Sequence, residues 1–147
     1  MDHSRLHQHT ALVMIPAIVL ACSAMLVMGR DVGASLGRDG AQVLGNWSGQ
    51  SICQVKNSPC HDEKVVYHIT SSKDPGKVTV TADKIVDGRP ITMGSGDYDY
   101  DNEKGTLVNE SSRGIWRLVI RANTMEGTLT LPDKTLYRRI SLTKDDK

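Results

Sequence analysis

Phenylalanine is absent from the 147 residues, and the aromatic set is limited to two tryptophans and four tyrosines. A core built from this chain must rest on Val, Ile, Leu and Met, with each large ring carrying an unusual share of the burial. Charge of one sign is lacking too: 18 Lys and Arg face 17 Asp and Glu, for a formal net charge of +1. That balance excludes the basic footprint of a nucleic-acid module and the acidic bias of a disordered tail. Neither a His-Glu-x-x-His pair nor a glycine-rich phosphate loop occurs, and no catalytic set is recognisable, so an enzyme ranks last among the readings. The length sets an expectation of one domain.

Long apolar runs are missing except at Ala11–Met28, which carries no charge over 18 residues. That length is at the lower edge of a membrane span. Arg5 and three histidines precede it, and Arg30 and Asp31 follow. Three outcomes stay open. The small residues of Val32-Gly33-Ala34 suit signal peptidase, which makes residues 1–34 a cleaved leader. An uncleaved segment becomes a membrane anchor. Val19-Leu20-Ala21-Cys22 is similar to a bacterial lipobox, with Cys22 as the lipidated residue, but its Leu stands two places before the Cys instead of three. Each outcome places residues 35–147 outside the cytoplasm, secreted, periplasmic or held at a membrane through the N-terminal segment alone. Residues 35–40 read as a flexible, Gly-rich linker and 41–147 as the folded domain.

An oxidising compartment bears on the cysteines. Cys53 and Cys60 flank six residues, and a disulfide closing this short loop is the expectation. A zinc site using Cys53, Cys60, His61 and His68 is the alternative, but paired zinc cysteines stand roughly two to four residues apart. No metal and no cofactor is expected.

From Gly45 onward, short Val-, Ile-, Thr- and Tyr-rich stretches alternate with turn residues. Val65, Tyr67 and Ile69 share one parity, as do Val78, Val80 and Ala82, and Trp116, Leu118 and Ile120. Period two is the mark of strands with one face buried. Asp87-Gly88 suits a tight hairpin, and Pro75 and Pro132 suit turns. Thr81–Val86 has the composition of a single helical turn, too short to stand alone. Eight or nine strands at this spacing predict an all-β, antiparallel up-and-down barrel, with an open sandwich as the alternative.

Gly45-Asn46-Trp47, at the head of the first strand, resembles the Gly-x-Trp signature of the lipocalin (calycin) family. The resemblance covers the two ends of the domain and lacks the family's central Thr-Asp-Tyr-type motif. It implies a Trp47 that closes the base of a barrel beneath a basic residue of the last strand. Arg138 and Arg139 are the candidates. Arg138 shares its parity with Leu136, Ile140 and Leu142, so it is the expected inward partner. The domain is also similar to the small bacterial calycin-like proteins of the periplasm, which include metalloprotease inhibitors.

Asp97-Tyr98-Asp99-Tyr100-Asp101-Asn102-Glu103 invites a calcium reading, but Asn102 and Val108 hold the places an EF-hand reserves for Gly and Glu. It reads as a solvated hairpin. Asp62-Glu63 reads as an exposed loop end, and His68 as a structural histidine of a strand. Asn46-Trp47-Ser48 and Asn109-Glu110-Ser111 match the glycosylation acceptor. The functional expectation is a non-enzymatic binding protein for a small apolar ligand. The alternative is a protein-interaction module, such as a calycin-type protease inhibitor or an envelope assembly factor. A central cavity favours the first, and a filled barrel with a protruding tail favours the second.

Overall fold

The computed structural model describes residues 40–146. A single helical turn, α1 (Gly40–Val43), leads into β1 (Gly45–Cys53), β2 (Glu63–Ser71), β3 (Lys77–Val86) and β4 (Arg89–Asp101). The chain continues through β5 (Thr106–Ser111), β6 (Gly114–Arg121), β7 (Thr124–Thr130) and β8 (Leu136–Lys144). Every strand pairs antiparallel with the next, and β8 returns to pair with β1. Closure leaves neither β1 nor β8 as an open edge. The all-β, up-and-down barrel expected from the strand spacing is the fold, with eight strands.

Period two sets the inside of the wall. Trp47, Val65, Tyr67, Ile69, Val78 and Leu118 are buried with others of their parity. Asp87 and Gly88 both take positive φ (50° and 74°) between the paired Val86 and Arg89, the two-residue hairpin turn that Asp-Gly favours. Thr81–Val86 forms no helical turn. All six residues belong to β3, where pairing with β2 and β4 overrides a weak local preference.

The two ends of the barrel differ. At one end, where β1 begins and β8 ends, α1 folds across the opening and buries Val43 to 1% exposure. The Trp47 indole N–H donates to the Val43 carbonyl at 2.8 Å. Ile69, Leu107, Met125 and Leu142 fill the space around it. Strands β1 and β8 are so close here that a Cβ on Gly49 would stand 2.1 Å from the Ser141 carbonyl oxygen, a contact only glycine avoids. β4 pairs with β5 only through Asp99, Tyr100 and Asp101, near this closed end. From there β4 runs on toward Arg89 without pairing to β5, and the wall opens as a slit. The Asn109 side-chain amide donates to the Asp97 carbonyl at 2.8 Å and bridges the slit at its closed end.

Candidate functional site at the open end of the barrel

A cavity of about 460 Å³ occupies the open half of the barrel. Its floor is set by Tyr67 and Tyr98, inward residues of β2 and β4. Val80, Ala82, Met93 and Trp116 supply apolar wall, and Ser51, Asn109 and Ser111 supply polar wall. Gly94 and Gly96 face it from β4, opposite Ala82 and Val80. A Cβ on Gly94 would meet nothing within 4 Å, so the absence of a side chain there is open volume. Ile91 and Met93 are 47% and 44% exposed on the β3–β4 hairpin, an apolar overhang beside the mouth.

Inside this space lies an ion pair. Arg138 Nη1 is 3.2 Å from Glu63 Oε2, with the two side chains only 13% and 11% exposed. The same nitrogen donates to Ser51 Oγ at 3.1 Å, and also to the carbonyls of Ser51 and His61. Glu63 has further neighbours, with Lys84 Nζ at 4.0 Å and His61 Nε2 at 3.8 Å from Oε1. A charge pair held from water in this way keeps its position only through such additional bonds. Burial raises both phenols of the floor. Tyr98 is pushed up to about 12. Tyr67 is held higher by its burial, reinforced by Tyr98 and opposed by Arg138. Both are therefore neutral hydroxyls at ordinary pH.

The Cys53–Cys60 disulfide is present, with Cα atoms 5.8 Å apart, and it staples the rim of the mouth. Cys53 lies opposite Arg138 in the β1–β8 register. The stapled loop returns through Asp62, which accepts the Cys53 backbone N–H at 2.8 Å, and then presents the His61 carbonyl to Arg138. The bond is consistent with an oxidising compartment.

Several expectations need correction. Arg138 does not cover Trp47. The antiparallel register sets Lys144 opposite Trp47 and Arg138 opposite Cys53, six residues along the strand. Lys144 Nζ is the cation on the indole, 5.5 Å from the ring centroid, and it also donates to the Gln42 carbonyl beside it. Glu63 is no exposed loop end; it is the first residue of β2 and points inward. Only its neighbour Asp62 is exposed. His68 lies on the outer wall between Asn46 Oδ1 (2.8 Å) and Asp83 Oδ2 (3.1 Å), away from the cavity. Asp97, Asp99 and Asp101 share one face of β4, where Thr79 and Lys77 bond the first two. Among the described residues no group of three His, Cys, Asp or Glu side chains is placed to hold a metal ion.

Cys22, the cleavage point after Ala34 and the apolar run lie outside the described residues, as does the 35–39 part of the linker. The letters GASLG at 33–37 satisfy Gly-x-Ser-x-Gly, a pattern whose chemistry requires a strand-to-helix turn around the Ser, and they too lie outside. Among the described residues no helix is long and apolar enough to cross a membrane. Ser51, Tyr67 and Asn109 line the cavity without a sequence motif that marks them as ligand-binding residues; Asn109 carries only the glycosylation pattern. Parity carries a signal for Ser51 and Tyr67, which stand in step with Trp47 and Val65. A scan against protein-family models and a search of curated proteins return no match to this chain.

Proposed function

We propose that the chain is a non-enzymatic, lipocalin-like binding protein that works outside the cytoplasm, secreted or periplasmic, and takes a small molecule into the open end of its barrel. The cavity of about 460 Å³ carries this reading. Small-molecule sites commonly span about 300–1,000 Å³ and combine apolar wall with a few convergent polar groups. Val80, Ala82, Met93 and Trp116 give the apolar wall here, while Ser51, Asn109 and Arg138 give the polar groups. A purely apolar ligand fits less well than an amphipathic one, because an apolar surface against Arg138 would leave its remaining donors without partners.

Gly94→Phe tests the reading. Nothing stands within 4 Å of a Cβ at this position, which lines the cavity, so a side chain added there starts in open space and takes cavity volume. Binding of phenylnaphthylamine, a neutral apolar fluorophore, is expected to fall at least about tenfold, which corresponds to about 1.4 kcal/mol. The urea midpoint is expected to stay near that of the parent. Unchanged binding in a folded Gly94→Phe protein would remove the cavity from the function.

A further inference from the structure

We infer that the molecule taken up in the barrel is an organic anion, an amphiphile whose carboxylate, sulfonate or similar group meets Arg138 while its apolar body lies along Val80, Ala82 and Trp116. The inference rests on the binding reading above and adds the sign of the ligand's charge.

Charge inside the cavity is unequal. Arg138 and Arg113 are the cationic side chains that line it, and Glu63 is the anionic one. Glu63 is also the more heavily engaged partner. Arg138, Lys84 and His61 all lie within 4.0 Å of its carboxylate oxygens, so a cationic ligand would compete against groups already in place. Arg138 is in the opposite position. Its four contacts to Ser51, His61 and Glu63 all run through Nη1. No hydrogen bond runs from Nε or Nη2 among the described residues, and the guanidinium carbon lies 5.8 Å from the centroid of the Tyr137 ring.

A guanidinium offers its donors as a planar fork, matched to two oxygens of one anion. Nη1 is held by β1 and the stapled loop, so the rest of the fork is oriented in advance and little ordering remains for a ligand to bring about. The neutral hydroxyls of Tyr67 and Tyr98 add dipoles that can turn toward an anion. Arg138 and Glu63 are sheltered from bulk water, and charge-assisted hydrogen bonds count for more in such a setting than in water.

The test compares two fluorophores that share one ring system, anilinonaphthalene sulfonate, which is anionic, and phenylnaphthylamine, which lacks the sulfonate. Both are titrated into the full-length chain. The expected result is about tenfold tighter binding of the sulfonate, the worth of one or two charge-assisted hydrogen bonds. Arg138→Met should erase that difference between the two probes. Glu63→Gln, which removes the competing carboxylate and keeps the shape, should tighten the sulfonate further and keeps the test independent of whether Arg138→Met folds. Equal affinity for both probes, each still lost in Gly94→Phe, would overturn the anion and leave the cavity as a binding site. Binding of both that is indifferent to Gly94→Phe would overturn the binding reading itself.

Discussion

The two halves of this barrel have the same wall and opposite interiors. Where α1 closes the opening, Trp47, Val78, Leu107, Leu118 and Met125 are 0% exposed, and their parity continues around the sheet without interruption by charge. Toward the other end the inward positions of the wall become Ser51, Glu63, Asn109 and Arg138, and two glycines replace side chains on β4. The contrast shows how one period-two pattern divides its labour. Apolar residues at the closed end supply the burial that holds the barrel, which leaves the inward positions of the open end able to carry charge and empty volume. Buried polar groups of that kind weaken a fold unless they are bonded, and here the stapled loop bonds them.

Substitution of the two tryptophans is the sharpest way to break this contrast. Trp47 is fully buried and hydrogen-bonded to Val43, whereas Trp116 is half-buried on the wall of an existing cavity. Trp47→Ala is expected to cost about 3–5 kcal/mol in lost burial and a residual void. Trp116→Ala enlarges a space already open and should cost about 1–2 kcal/mol. Urea denaturation of the two variants measures both. Equal losses would mean that the open end contributes as much to stability as the closed one, and the division argued above would fail.

How much of this could be read from sequence follows from what period two encodes. Parity tells a residue's face, so the inward set on β2, β3 and β6 and the inward direction of Arg138 are legible before any strand is paired. Parity says nothing of height along the barrel axis. That is fixed by register, and register placed Lys144 rather than Arg138 against Trp47. Strand boundaries are the other loss. Glu63 reads as a loop residue because Cys60, His61 and Asp62 precede it, yet it is the first residue of β2 and takes the parity of Val65. The cavity itself has no sequence signature, since it depends on which glycines face inward and where β4 leaves β5.

The tyrosines between the halves offer a second, smaller test. Tyr98 holds its proton up to about 12 and Tyr67 is raised as well, in both cases chiefly through burial. An unfolded phenol ionises near pH 10. Raised folded-state values mean that the contribution is whole below about pH 10 and is lost as pH rises through the folded value, because the unfolded chain releases its protons first. Urea midpoints should therefore fall between about pH 10 and pH 12, with Tyr98 accounting for about 2 kcal/mol of the loss. Tyr98→Phe should flatten the fall over this window. A fall of the same size in that variant would mean that Tyr98 is wetter than its place on the cavity floor implies.

The smallest expected effect is a control on the outside of the closed end. Lys77 Nζ and Asp99 Oδ1 stand 2.6 Å apart across β3 and β4, with the side chains 33% and 73% exposed. The Asp99 carboxylate holds the Lys77 ammonium above its ordinary range, through their hydrogen bond first. The pair is nevertheless open to solvent and to salt, and exposed pairs of this kind contribute little to stability. Asp99 also belongs to the short β4–β5 ladder, but its backbone bonds there do not depend on the side chain. Asp99→Asn should thus leave the urea midpoint close to that of the parent, the more so at high salt. A loss approaching that of Trp47→Ala would place the strength of the closed end in its outer charges and not in its apolar filling, and the division between the two interiors would have to be argued from a different source.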